Sequence, residues 1–323
     1  MRRREFITLL VGAAPLWPLT ASAQRSAVAV IGVLSVGSPD IASPYDAAFE
    51  RGLAERGFVV GKNVTIERRW ARGNHSKLPE LAQELLHFNP ALIIGGGNVV
   101  ALAARKVTST IPIVFVIASD PVKLGLAKSF AHPGGNATGI SMMTARLVLK
   151  RLELIQELLQ QKATVGFLVN PDNQDLLQEI DEVARSTGRT LKVAKARNQD
   201  ELEPAFRQLV SAQVGAVLVS NDAIFFNLRA QLVALADRHS LPASYEFREF
   251  PAAGGLMSYG PSLVANFEKA GIYAARILGG ARPEDLPIQQ PTEFSLVLNS
   301  ATARSLGIEI PPSLLARADE VIE

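Results

Sequence analysis

Short apolar runs alternate with amphipathic stretches along nearly all of this chain, and that alternation confines it to βα units wound around parallel sheets. Ala27 to Leu34 reads as a buried first strand. Pro44 to Arg56 follows as a helix, with Tyr45, Ala48, Phe49 and Leu53 on one face and Gly57 placed to end it. Val64, Ile66, Arg68 and Trp70 alternate with polar neighbours, which predicts a strand near a sheet edge. A helix from Leu78 to Leu86 stops at Asn89-Pro90, and strands at Ala91 to Ile94 and Ile111 to Ile117 flank a helix over Val99 to Val107.

A second series starts at Ala163. Strands are expected at Thr164 to Val169, Thr190 to Ala194, Ala216 to Val219 and Pro242 to Phe247. Helices are expected at Asp175 to Ser186, Glu201 to Ser211 and Ile224 to Arg238. The openings are alike, with Ile31-Gly32-Val33-Leu34 matched by Val165-Gly166-Phe167-Leu168, 134 residues on. So short a match can arise by chance, and the repeated alternation carries the two-lobe reading. Three breaker-rich joints, at His132 to Asn136, Pro251 to Gly255 and Gly279 to Pro291, fit a chain that crosses between lobes three times.

The amino end constrains location. Arg2, Arg3 and Arg4 precede a 13-residue apolar run, Ile7 to Leu19, and then Ala21-Ser22-Ala23. This pattern predicts an export signal cleaved after Ala23, because the run is shorter than the roughly 20 residues of a membrane span. Arg3-Arg4-Glu5-Phe6-Ile7 resembles a twin-arginine signal, and an ordinary secretory signal with a basic start is the alternative. With no cysteine in 323 residues, no lipid-bearing cysteine follows the cleavage site, so a protein free in the periplasm, without direct membrane insertion, is expected. Residues 1–23 hold three of the 33 basic and one of the 31 acidic side chains, leaving 30 of each. Such a neutral chain gives no electrostatic footprint for nucleic acid. It is long enough for two domains.

Most catalytic constellations are missing. A dinucleotide fingerprint starting at Gly95 would need glycine at Val100, and a phosphate loop from Gly32 to Gly37 would need lysine at Ser38. His75, His87, His132 and His239 lack metal-ligand spacing, and Ser258 lacks the first glycine of a nucleophile elbow. No catalytic residue, metal or cofactor is therefore expected.

What remains is a set of polar residues at the carboxyl ends of expected strands, where open α/β sheets bind ligands. They are Ser35, Gly96, Gly97, Asn98, Ser119 and Asp120 in the first series, and Asn170, Asn221, Asp222, Tyr245 in the second. Backbone N–H groups at Gly96 to Asn98 would meet an anion at a helix amino end, and Asn98 either faces that ligand or caps the helix. Asp120 and Asp222 either pair with a ligand ammonium or cap the helices that follow them. Tyr245, and Tyr259 near the next joint, either offer flat contact to a ligand or belong to the core.

Several motifs together resemble a known family. Ala48-Phe49-Glu50-Arg51-Gly52-Leu53, Gly61-Lys62-Asn63-Val64, Ser119-Asp120-Pro121-Val122, His132-Pro133-Gly134-Gly135-Asn136-Ala137-Thr138-Gly139 and Leu168-Val169-Asn170-Pro171 are similar to the tryptophan/tyrosine-type substrate-binding proteins of ABC transporters. The tail around Asn299, Leu306-Gly307, Ile310-Pro311-Pro312 and Ala318-Asp319 resembles that family's closing segment. The resemblance implies a type I periplasmic binding fold, with two α/β lobes, a three-crossover hinge and a solute enclosed between them. It places residues 24–138 with 256–290 in one lobe and 139–255 with 291–323 in the other. A small-molecule ligand, an amino acid or related carboxylate, and a membrane permease are the expected partners, and the protein is expected to be a monomer. A periplasmic sensor feeding a receptor kinase and an exported α/β enzyme are the alternatives.

Overall fold

A computed structural model describes residues 28–160, 163–172, 177, 180, 184–185 and 191–323. The expected export signal and most of the helix expected at Asp175 to Ser186 lie outside these residues.

The first sheet contains β1 (Ala29–Ser35), β2 (Val64–Trp70), β3 (Leu92–Gly96), β4 (Ile113–Ile117) and β5 (Ala137–Ser141). These strands are parallel in the order β2-β1-β3-β4-β5, and β2 lies at the edge that its alternating pattern predicts. Helices α1 (Pro39–Ala54), α2 (Leu78–Leu86) and α3 (Asn98–Val107) link them. Proline suits the start of α1, because Pro39 sits in the first turn, where no N–H is needed.

The second sheet takes β6 (Val165–Val169), β7 (Lys192–Lys195), β8 (Ala216–Val219), β9 (Ala243–Tyr245), β10 (Met257–Gly260), β11 (Ser295–Asn299) and β12 (Glu320–Ile322). The order is β12-β11-β10-β9-β8-β6-β7, with only the β10–β11 pair antiparallel. Its helices are α4 (Val148–Leu158), α5 (Gln199–Ser211), α6 (Ala223–Asn227), α7 (Arg229–Arg238), α8 (Glu249–Ala252), α10 (Ser300–Ser305) and α11 (Pro312–Leu315), while α9 (Leu263–Leu278) packs on α1 of the first lobe. The run β7-β6-β8-β9-β10 repeats the connectivity of β2-β1-β3-β4-β5, so the two lobes share one architecture, with Gly32 on β1 and Gly166 on β6.

The chain crosses between lobes three times, after β5, after β10 and before β11. Two expected boundaries move. The break expected after Thr138 falls beyond Ser141, because β5 hydrogen-bonds to β4 along its whole length. The break expected after Gly255 falls beyond Gly260, because β10 pairs with β9 and β11 in the second sheet. Strand β5 escapes a hydropathy reading because it is made of small residues: a Cβ at Gly139 would overlap the Phe115 carbonyl, so only glycine lets the two strands approach. The single helix expected over Ile224 to Arg238 divides at Leu228, whose φ of −94° and ψ of 17° leave helical geometry.

Helices α1 and α9 cross with backbones in contact. A Cβ on Gly52 would run into the Glu268 carbonyl, and one on Gly271 into that of Phe49. The main apolar cluster continues through the junction of the lobes, joining Ile31, Phe49 and Val114 to Leu168, Phe206 and Phe225. The two lobes are therefore packed against each other at this junction.

Candidate functional site

Both sheets reverse their strand order at one point, between β1 and β3 in the first and between β6 and β8 in the second. Ligands of such sheets bind beyond the carboxyl ends of the strands at this switch point. The two switch points face each other. Between them lies a cavity of about 380 Å³ that takes Ser35, Gly96, Gly97 and Asn98 from one lobe and Asn170, Asn221 and Asp222 from the other. That volume falls within the range of small-molecule sites.

Local sequence explains how each residue is held. Gly97 stands before α3 with φ of 99°, a left-handed conformation that glycine adopts without strain, and it is the cap residue of that helix. Asn98, expected either to cap α3 or to face a ligand, does not cap it. Its Nδ2 donates to the Ser119 hydroxyl at 2.7 Å, and its Oδ1 accepts from the Ala118 N–H at 3.1 Å. Asn98 thus ties the amino end of α3 to the exit of β4 and also lines the cavity. Ser35 accepts from the Gly37 N–H at 3.0 Å and shapes the loop after β1.

In the second lobe Asn170 Nδ2 donates to Asp222 Oδ2 at 3.1 Å, while Asp222 Oδ1 accepts from the Ile224 N–H at 2.8 Å. Asp222 therefore caps α6 and still lines the cavity. Burial raises its pKa, opposed by the Ile224 N–H and by Asn170. Asn221 reaches the Thr144 hydroxyl at 3.4 Å.

Four expected site residues lie elsewhere. Ser119 supports Asn98 from behind and is outside the cavity lining. Asp120 accepts from the Val122 N–H at 2.7 Å, capping the turn after Pro121. Tyr245 is only 1% exposed and stacks on Phe250 at 4.4 Å, so it belongs to the core. Tyr259 packs near Phe294 on β10. The expectation failed for both tyrosines because a strand end in sequence does not say which side of the sheet a side chain takes.

The aromatic wall comes instead from Tyr45, Trp70, Phe226, Phe247 and Phe267. The helical spacing of α1 assigns Tyr45 to its core face; Trp70 ends β2 at the carboxyl edge, which is the signal that could have found it. Tyr45 packs against Phe267 of its own lobe at 5.4 Å and Phe226 of the other at 5.9 Å, and its hydroxyl donates to Glu249 Oε1 at 2.9 Å. Burial and the Glu249 carboxylate hold that hydroxyl in its protonated form.

The charge in the wall is one-sided. Asp46, Asp172 and Asp222 line the cavity with His75, and among the described residues no lysine or arginine does. Burial raises the pKa of Asp46, countered by Arg68 at 3.0 Å. Among the described residues no cluster of three histidine or carboxylate side chains could hold a metal, and no helix is long and apolar enough to cross a membrane. The Gly97 N–H, expected to meet an anion, instead donates to the Val116 carbonyl at 2.8 Å, so the site can bind a flat apolar body, a cation near the carboxylates, and an anion at the first-turn N–H groups of α3.

Known proteins share this architecture. A crystal structure of an ABC domain in complex with L-Trp from Streptococcus pneumonia superposes with a TM-score of 0.82 at 26% identity, covering 91% of this chain and 99% of that one. A conserved domain protein from Vibrio cholerae gives a TM-score of 0.83 at 27% identity with the same coverage. A tyrosine-binding protein of Clostridioides difficile is 24% identical over 264 residues, 81% of this chain and 76% of the relative. The family model for ABC transporter substrate binding proteins matches residues 27–322, and with two lobes closing on one solute-sized cavity the chain belongs to that family.

Proposed function

We propose that this protein captures an amino acid with an aromatic or large apolar side chain in the periplasm and delivers it to the membrane permease of an ABC transporter. The observation that carries the ligand class is the cavity wall: five aromatic rings, three carboxylates with no lysine or arginine among the described lining residues, and the amino end of α3. Rings suit a flat side chain, a carboxylate suits the ammonium, and the free N–H groups of α3 suit the carboxylate. The relatives that bind L-Trp and tyrosine support this reading.

Binding drives closure because Tyr45 and Gly97 belong to one lobe and Asp222 and Phe226 to the other. A solute that touches all four gains its full contact energy only in the closed state, so it shifts the population toward that state. Export fits the same role: the basic start, short apolar run and Ala21-Ser22-Ala23 support cleavage after Ala23, and Arg3-Arg4 supports a twin-arginine route. The protein acts as a monomeric binder and not as an enzyme. Isothermal titration of the chain from Gln24 onward with L-tryptophan, L-tyrosine, L-phenylalanine, a hexose and a nucleoside tests the ligand class. Micromolar or tighter binding confined to the amino acids is expected; binding of only the uncharged solutes overturns it.

A further inference from the structure

Beneath the floor of the cavity lies an ion pair that the capture mechanism has not used. Arg151 on α4 and Glu246 after β9 meet at 3.0 Å, with side chains 1% and 2% exposed. The guanidinium also donates to the carbonyls of Val219 at 2.7 Å and Ser244 at 2.5 Å. It thereby holds the exits of β8 and β9 together at the point where Asn221 and Asp222 enter the cavity. Beside the Glu246 carboxylate lie the Asn221 amides and the Thr144 hydroxyl, both of which favour its charged form. Thr144 is on the first crossing between lobes, three residues beyond β5, and its own N–H donates to Ala118 of the other lobe at 3.1 Å.

A cavity of about 10 Å³ is lined by Ser220, Asn221, Asp222, Tyr245 and Glu246 together with Val219 and three phenylalanines. Among the described residues Ser220 Oγ, Tyr245 OH and Glu246 Oε2 make no hydrogen bond of full geometry. A purely structural pair gains nothing from such an arrangement. Burying two charges is compensated only when their remaining polar atoms are satisfied, and well-packed apolar side chains of similar volume are often as stabilising or more so.

We propose that Arg151 and Glu246 are positioning residues for solute capture: the pair sets the ligand-facing arrangement of Asn221 and Asp222 and couples it to the hinge at Thr144. The solute never touches either charge. Its carboxylate and amide partners are correctly placed only while the pair is intact, and movement at the first crossing is transmitted to the cavity floor through it. The assignment of L-tryptophan as probe rests on the ligand class proposed above; the hinge coupling does not.

The deciding variant is the double replacement Arg151→Met with Glu246→Met, which removes both charges and retains bulk. Its ligand-free melting temperature is expected within a few degrees of the parent chain or higher, while L-tryptophan binding by titration falls at least tenfold. Equal affinity in a stable double variant overturns the proposal, because a structural role alone predicts that result. Should the double variant not fold, Glu246→Gln takes its place, judged by hydrogen exchange of the ligand-free protein. Faster exchange confined to residues 142–148 and 219–222 is expected; unchanged exchange there overturns the proposal. If the parent chain binds no L-tryptophan, the ligand class fails, and the same exchange measurement still decides the coupling.

Discussion

The Tyr45 hydroxyl donates a 2.9 Å hydrogen bond to Glu249, joining a helix of the first lobe to one of the second across the mouth of the cleft. The same ring lines the cavity and packs on Phe226 and Phe267. Tyr45 thus couples solute contact to lobe closure. Replacing Tyr45 with Phe keeps the ring and removes the latch. A hydrogen bond to a charged acceptor is worth about 1.5–3 kcal/mol, and at this partly exposed site the lower end applies, so solute dissociation speeds up by about tenfold. Stopped-flow displacement measures it; an unchanged off-rate means that the latch contributes nothing to the closed state.

Asp222→Asn separates charge from capping. Asparagine caps a helix as well as aspartate, so α6 is retained, while the amide that replaces Oδ2 loses the hydrogen bond from Asn170 and lowers the melting temperature modestly. Affinity for L-tryptophan falls by about ten- to a hundredfold through loss of the charge-assisted contact to the ammonium. Indole-3-propionate, which keeps the carboxylate and lacks the ammonium, binds the variant and the parent chain alike. If both solutes weaken equally, Asp222 has no role in reading the ammonium.

Removing one member of the buried pair, as in Arg151→Met alone, leaves an uncompensated carboxylate at Glu246 and costs about 3–5 kcal/mol. Urea denaturation reads this as a lower midpoint with an unchanged slope.

Acid stabilises through Glu246. Burial is the largest influence on this carboxyl and pushes it up to about 7 from its ordinary 4.5, against the pull of Arg151. The folded state therefore holds the proton more tightly than the unfolded chain. Its contribution to stability is full below pH 4.5 and is lost as pH rises through about 7. The ligand-free melting temperature accordingly declines between pH 5 and pH 8, and Glu246→Gln flattens that slope. A slope identical in the variant rules out this carboxyl as its source.

Gly271→Ala tests the crossing of α1 and α9. The new methyl meets the Phe49 carbonyl and the backbone around Gly52, neither of which is a flexible side chain that can turn away. A loss of about 1–3 kcal/mol or more is expected from overpacking, even though alanine favours a helix. Thermal denaturation in parallel with Gly135→Ala, at a glycine with open space around it and no left-handed backbone, shows whether packing is the cause.

The two lobes, their repeated βα units and the strand exits that build the cleft follow from the sequence by itself, because alternation of apolar runs is local and the carboxyl ends of parallel strands are where such sheets bind. Ser35, Gly96, Gly97, Asn170, Asn221 and Asp222 were legible for that reason. The roles of several side chains were not. Asn98 looks like a cap in one dimension and is a strut to Ser119 in three, while Tyr245 and Tyr259 sit at strand ends and face the protein interior. The small-residue strand β5 carried no apolar signal, since its burial rests on close backbone approach at Gly139. Only the tertiary structure brought Tyr45 and Phe226 onto one cavity and Arg151 onto Glu246. Those pairs stand 181 and 95 residues apart, and no local pattern encodes a contact made by folding one lobe onto another.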